Sequence, residues 1–489
     1  MTPQPGSAFE DLQRAFVARM AGRSPADLDR GTMVVVPSIS FASEELRKIT
    51  AIQYYEERML CMLLFLEAPD LRVIFASSMP VEESIIDYYL GFLDDPVGAR
   101  RRAAFVSVDD PEARGLTEKL LGDRRALAEI RALVGGAEDA FLLPFNVTEF
   151  ERRLSEEIRV PLYGPHPDLV PLGSKSGSRR VARDAGVPVL PGAEDLFAVE
   201  ELGKAIAALR TAVPEARSVV TKLNNGFSGQ GNAILDLASI STPLTDSPTV
   251  FCAEGESWGT YARKIAEGGV VVEQLIQNPE ARSPSVQLRI IPGGRYEVVS
   301  THDQILGGPD DQVYLGCRFP ANREYRSAIQ EHALRIAEVL SSRGVIGSFG
   351  IDFVVVPNGS SWDVFLSEIN LRLGGTTHPF LLARRATRGR YDAASGELIA
   401  GGTPKTYVAG DNFKSPAYVG LPPSRVISAL RESGLAFDAL RGTGVTLHLL
   451  GALREYGKLG AVCIAEDPAH ADALYRQVER LLDRLSADP

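Results

Sequence analysis

Apolar and polar positions alternate along Phe365–Leu371, at the head of the stretch FLSEINLRLGGTTHP that runs from Phe365 to Pro379. A period of two predicts a strand with Ile369 and Leu371 in the core. Glu368, Asn370 and Arg372 then share the opposite face, in a row about 13 Å long. Upstream, apolar runs at Thr32–Val36, Leu71–Ser77, Ala104–Val108 and Ala140–Pro144 read as strands. Between them lie the helical stretches Ser43–Leu66, with Ser43 as its cap, Glu82–Leu93 and Glu112–Val134. Alternating strands and helices predict an α/β layer with a parallel sheet. A polar lead-in over residues 1–30, with room for one short helix, precedes it.

From Pro161 a Pro/Gly/Ser-rich passage, PLYGPHPDLVPLGSKSGS, reads as a linker, and Ser176–Ala185 as the helix after it. Arg217–Leu223 and Ala233–Leu237 read as strands of a hairpin whose tip, Asn224–Asn232, carries three glycines. Val270–Ile276, Val286–Ile291 and Gly350–Val356 are further strands, the last turning through Pro357–Ser360 into the alternating one. Arg323–Arg343 is an amphipathic helix with Ile329, Ala333, Ile336 and Leu340 on one face, stopped by Gly344. Beyond about residue 400 the pattern predicts a separate small unit with strands at Thr446–Leu450 and Ala461–Ile464. It closes with a helix capped by Asp467 that packs through Leu474, Val478, Leu481 and Leu485. The expected division is an N-terminal α/β domain over 1–165, a unit over 166–400 whose halves cover about 175–275 and 276–400, and a C-terminal α/β extension over 401–489.

Charge narrows the function classes. A net charge of −11, with no basic cluster longer than Arg100–Arg102, speaks against a nucleic-acid partner. Cys61, Cys252, Cys317 and Cys463 are scattered, never as C-x-x-C, so no zinc spacing appears and a reduced, cytoplasmic protein is the simpler expectation. The N-terminus shows no signal pattern, and the longest apolar run, Met59–Leu66, is too short for a bilayer, so no membrane partner is expected. No glycine-rich dinucleotide fingerprint follows the N-terminal strands, which leaves that domain a docking or substrate-capping role.

The polar residues inside apolar strands are the candidate chemistry. A carboxylate and an amide oxygen at Glu368 and Asn370 suit a hard cation, and Arg372 suits a phosphate or carboxylate oxygen. Gly374-Gly375 lets the backbone turn or approach a ligand. Taken alone, the same segment is equally a buried strand ending in a solvated turn. Asp352 is placed to meet Glu368 across antiparallel strands, where two carboxylates repel unless one is protonated or a cation intervenes. Lys222 directly precedes the loop with Gly226, Gly229 and Gly231, whose N–H groups would cradle a polyphosphate; the alternative is a surface hairpin with a solvated lysine. The G-S-K-S around Lys175 is not a Walker A loop, since position 168 is Asp. Glu273 is a charge within VVVEQLI and needs a partner. Glu273 and Glu280 each alone read as a structural or surface carboxylate; together they fit a nucleotide slot, one facing an amino group and the other a pair of hydroxyls. His302, Asp303, Gln304 and Arg318, and Thr376, Thr377 and His378, are polar patches on the substrate side or ordinary structural residues.

In this order — Lys175, Lys222 before a glycine loop, Glu273 in V-E-x-x-I, Glu280, Asp352, then E-x-N-x-R — the residues resemble the ATP-grasp superfamily over roughly residues 170–385. STHDQILGG, YLGCRFPA, EINLRLGGTTHP and TGVTLHLLGALREYGKLG resemble one branch, the peptide ligase of pheganomycin biosynthesis and its relatives. The resemblance implies an α+β ATP-grasp fold and an ATP-dependent carboxylate–amine ligase working through an acyl phosphate. Its partners would be a small-molecule carboxylate and an amine, an amino acid or peptide, and a homodimer fits too. It implies ATP and Mg²⁺ (two ions, Mn²⁺ able to substitute) as cofactors. By the same resemblance Lys175 and Lys222 hold phosphates, Glu273 accepts from the adenine amino group, the backbone at Gln274 and Ile276 reads the adenine edge, and Glu280 takes the ribose. Asp352, Glu368 and Asn370 hold the metal, and Arg372, with Lys222, is catalytic. Leu371 departs from the family pattern, where many relatives carry proline. A kinase that stops at phosphoryl transfer and a regulatory ATP-binding protein are the alternatives.

Overall fold

The computed structural model describes residues 8–23, 30–226, 229, 231–308 and 313–487. Their strands form three sheets. The first is parallel, in the order Ala103–Ser107, Asp70–Ser77, Arg30–Val36, Ala140–Pro144, as the alternation of strands and helices predicts. Its central strand Arg30–Val36 is buried from Gly31 onward, which explains its continuous apolar run.

The expected single helix over Ser43–Leu66 is two elements, a helical turn Ser43–Leu46 and a 3₁₀ helix Ile52–Glu67. Ala51, at a φ of 65°, breaks the α path between them. Ser43 is the first helical residue and makes no cap hydrogen bond. The expected helix Glu112–Val134 likewise divides into Leu116–Gly122 and Arg124–Val134, because the Asp123 side chain accepts from the Arg125 and Ala126 N–H groups and caps the second.

A five-stranded antiparallel sheet follows, ordered Gly192–Leu196, Val270–Gln274, Ser218–Leu223, Asn232–Asp236, Thr249–Phe251. The Lys222 hairpin is at its centre; Phe227, Ser228 and Gln230 of the loop lie outside the described residues.

The third sheet, ten-stranded, carries the alternating strand at its edge, as Ser361–Asn370 paired with Gly347–Asn358, which pairs in turn with Pro284–Ile290. Helix Arg323–Ser342 covers one face of these strands, with Ile329, Ala333, Ile336 and Leu340 fully buried against Val286, Leu288, Ile351, Leu366 and Ile369. Alternation therefore turns Ser285, Gln287, Asp352, Glu368 and Asn370 to the other face.

Residues beyond 400, expected as a unit of their own, are hydrogen-bonded into this same sheet. Thr403–Lys414 pairs with Val313–Phe319 on one side and with Lys458–Ala465 on the other. The closing helix Pro468–Ala487 packs Leu474, Val478 and Leu481 into a core shared with Met59–Leu66 of the N-terminal segment. Asp467 accepts from the His470 N–H at 2.8 Å, as its capping role requires. The four cysteines are free, and among the described residues no helix is long and apolar enough to cross a membrane.

Candidate active site

A cavity of about 790 Å³ opens where the three sheets meet. The alternating strand supplies Glu368, Asn370 and Arg372, its neighbour supplies Asp352, and both lysines singled out in the sequence, Lys175 and Lys222, line it as well. The predicted cross-strand register is observed: Asp352 is paired with Glu368. Asn370 Nδ2 bridges the two, donating to Asp352 Oδ2 at 3.0 Å and to Glu368 Oε1 at 2.8 Å. Lys175, the first residue of helix Lys175–Asp184, ion-pairs with Glu368.

Burial sets the charge states. It draws the Lys175 ammonium down to about 7, helped by the like charges of Lys222 and Arg372. It lowers Arg372 to about 10 against the pull of Asp352. Burial also raises the Asp352 carboxyl above its ordinary value, in spite of the Ser285 hydrogen bond and nearby Lys175. A carboxyl held up in this way gains from a cation, and Lys175 on Glu368 shows where positive charge is wanted. Two carboxylates and an amide that can turn its oxygen inward form an all-oxygen donor set of the kind hard divalent ions take. The residues fit Mg²⁺.

Gln274 and Ile276, which the resemblance names, line the cavity together with Leu275, and Glu273 does not. It is 1% exposed, salt-bridged to Arg179 and, at 2.7 Å, to Lys222. Burial would raise its carboxyl, but these two cations hold it below the ordinary range. Because Val270–Gln274 is buried on both faces, its one charge turns to the cations beside it rather than to a base. Glu280 is exposed and is not among the residues that line the cavity, and its N–H is bound to Asn278 Oδ1. Of the loop glycines, Gly226 and Gly229 reach the cavity and Gly231 does not. The Gly226 N–H is already donated to the Leu223 carbonyl at 3.1 Å, so it is not free to cradle a phosphate.

On the expected substrate side Gln304, Gly374, Gly375 and Thr376 line the cavity. Gly375 is closed on by Tyr314, whose ring carbon would lie 2.7 Å from a Cβ there. Four residues of these patches have structural partners instead. The His302 Nε2 shares a hydrogen bond with Tyr407 Oη at 2.7 Å, and burial pushes its pKa down to about 3. Asp303 accepts from Tyr325 Oη and the Asn322 N–H, Arg318 pairs with Asp472 at 2.6 Å, and Thr377 Oγ1 accepts from the Gly374 N–H. His378 is buried against His448, ring centroids 4.4 Å apart, beside Asp411. The ligand atoms of these three lie within 4.8 Å of one another, yet Arg58 already ion-pairs with Asp411, which makes the group a charge network rather than a metal centre.

Sequence reasoning missed the wall formed by Lys48, Tyr55, Arg58, Asp411, Asn412 and Lys458. Its signal was present: Arg58 directly precedes the buried run Met59–Leu66, and Lys458 opens the wholly buried strand Lys458–Ala465.

Comparison with known proteins bears on the family and the fold. A family model described as "IQCH-like, ATP-grasp" matches residues 169–249 and 246–393, and one described as "PGM1 C-terminal domain" matches 425–478. An L-propargylglycine–L-glutamate ligase from Streptantibioticus cattleyicolor is 30% identical over 462 residues, covering 92% of this chain and 94% of its own. IQ motif-containing protein H of Danio rerio is 22% identical over 75% of this chain, which spans 40% of that protein. Among solved structures, a Campylobacter jejuni biotin carboxylase–nucleotide complex superposes with a TM-score of 0.55 at 15% identity, covering 94% of this chain and 95% of its own. The ADP complex of N5-carboxyaminoimidazole ribonucleotide synthetase superposes at 0.53 and 13%, covering 93% and 97%.

Proposed function

The chain belongs to the ATP-grasp superfamily, among its ATP-dependent ligases, and we propose that it joins the carboxylate of one small molecule to the amine of an amino acid or peptide in this cavity. One observation carries the assignment: Lys175, Lys222, Asp352, Glu368, Asn370 and Arg372, up to 197 positions apart in sequence, line a single cavity. In this reading the Gln274–Ile276 backbone meets the adenine edge, and Lys175 and Lys222 neutralise the phosphates. Asp352, Glu368 and Asn370 would hold Mg²⁺, which would supply charge neutralisation for phosphoryl transfer. Arg372, with the Gly374 and Gly375 backbone beside it, faces the oxygens that gain charge. A donor of this kind at a developing oxyanion is worth about 3 kcal/mol.

Two displacements follow. A carboxylate oxygen attacks the γ-phosphorus and ADP leaves, giving an acyl phosphate. The amine nitrogen then attacks the acyl carbon, inorganic phosphate leaves, and the nitrogen gives up a proton. Phosphoryl transfer asks the protein mainly for positioning and charge neutralisation, which these residues offer. Turnover of ATP with Mg²⁺ against a panel of carboxylates and amines, with ADP and AMP resolved, tests the reading. ADP and phosphate should appear only when a carboxylate and an amine are both present. AMP would overturn the acyl-phosphate step, and a stable phosphorylated product would overturn the ligase.

A further inference from the structure

The wall that the nucleotide reading leaves unused is also basic. Tyr55 stands at its centre, with the Arg58 guanidinium 4.1 Å from its ring centroid and the Lys458 ammonium 5.0 Å from it. Lys458 Nζ donates to the Tyr55 hydroxyl at 2.7 Å. Lys458 is only 6% exposed, yet among the described residues no carboxylate pairs with it. Arg58 differs, since Asp411 answers its charge and His448 Nε2 holds that carboxylate at 2.6 Å. Lys48, further along, is occupied by Glu45 at 3.0 Å and Glu256 at 3.8 Å. Two cations thus face one carboxylate, leaving a positive charge uncompensated on a buried wall of the cavity.

A buried ammonium without a counter-ion is costly, and a tyrosine ring answers it only in part. An arriving anion would complete the site. The wall comes from the N-terminal segment and from the strands Thr403–Lys414 and Lys458–Ala465, not from the strands that carry the nucleotide and metal candidates. It lines the same cavity as Arg372.

We propose that Arg58 and Lys458, on either side of Tyr55, seat a carboxylate of the amine substrate, so that the acceptor is an amino acid or peptide bearing a free carboxylate. The seat rests on the ligase reading, since only a ligase needs an acceptor there.

The test uses the full-length protein and paired acceptors: glycine, L-alanine and L-glutamate against their α-carboxamides, each with the acyl donors of the turnover panel. The wild type should favour the acids by about ten-fold or more in kcat/KM, as for loss of a charged hydrogen bond. Lys458→Met should raise the acceptor KM by a similar factor, leave the KM for ATP unchanged, and have no effect with the amides. Lys458→Arg should restore part of the preference. Amides serving as well as acids, or a Lys458→Met acceptor KM within about two-fold of wild type, would overturn the seat while the ligase stood. If no pair releases ADP, the ligase reading falls instead. Calorimetry of L-glutamate binding to the protein with MgADP then decides the seat: heat that Lys458→Met abolishes supports it, and heat that is absent or unchanged overturns it.

Discussion

Glu273 separates two accounts of the same residue, and Glu273→Gln tells them apart. The resemblance gives it the adenine amino group; the structure gives it Arg179 and Lys222. At 2.7 Å from Lys222 the gross attraction is about 6 kcal/mol at an effective dielectric of 20. Part of that offsets the desolvation of a carboxylate that is 1% exposed. Removing the charge of Glu273 leaves Lys222 buried without its carboxylate, while Arg179 keeps Glu194 at 2.9 Å, at a cost of about 3–5 kcal/mol. Glu273→Gln keeps the shape and leaves Arg179 and Lys222 repelling each other across a neutral amide. The expected result is a loss of about 3–5 kcal/mol in urea unfolding, large against the whole stability of a typical domain. The preference for ATP over GTP should persist, because the backbone at Gln274 and Ile276 is unchanged. A second variant checks the mechanism: Arg179→Met combined with Glu273→Gln should cost less than the sum of the two single changes. The ion-pair account is refuted if Glu273→Gln costs less than about 1 kcal/mol while the preference for ATP collapses.

Glu368→Ala and Arg372→Ala should each abolish ADP release while circular dichroism shows the fold retained; full activity in both would remove the site assignment. Glu57 is buried, accepts from the Gly451 N–H at 2.7 Å, and burial pushes its carboxyl up to about 8. The native state therefore binds a proton that the unfolded chain, with an ordinary value of 4.5, releases. Its contribution to stability is full below pH 4.5 and is lost as the pH rises towards 8. Glu57→Gln should flatten that fall and be the more stable form at pH 8, by up to about 4 kcal/mol in denaturant titrations; an unchanged pH profile would contradict it. A chain ended at residue 400 should be insoluble, because it lacks the strand Thr403–Lys414 that pairs on both sides within the large sheet. Leu482→Ala, at a fully buried position of the closing helix, should cost about 2–5 kcal/mol by thermal or urea unfolding.

How far the sequence speaks depends on whether the signal is local. A period of two placed Glu368, Asn370 and Arg372 on one face and Ile369 and Leu371 on the other, and the turn at Pro357–Ser360 brought Asp352 opposite Glu368. The same period says nothing about Glu273, since a strand buried on both faces has no polar side to mark. Nor does it reveal that Thr403–Lys414 joins a sheet begun more than a hundred residues earlier, because strand order is decided by packing between distant segments. The helix expected over Ser43–Leu66 breaks at Ala51, whose positive φ no apolar pattern announces. The missed wall was half legible. Arg58, Asp411 and Lys458 are charges within or beside buried apolar runs, and the price of burying a charge requires that each be answered. What composition and spacing cannot supply is the answer itself: Arg58 finds Asp411 across 353 positions, and Lys458 finds Tyr55 across 403. Among the described residues Lys458 has a hydroxyl and a ring there but no opposite charge, and so the same physics that explains Glu273 inside its sheet points outward at Lys458, to an anion brought by the substrate.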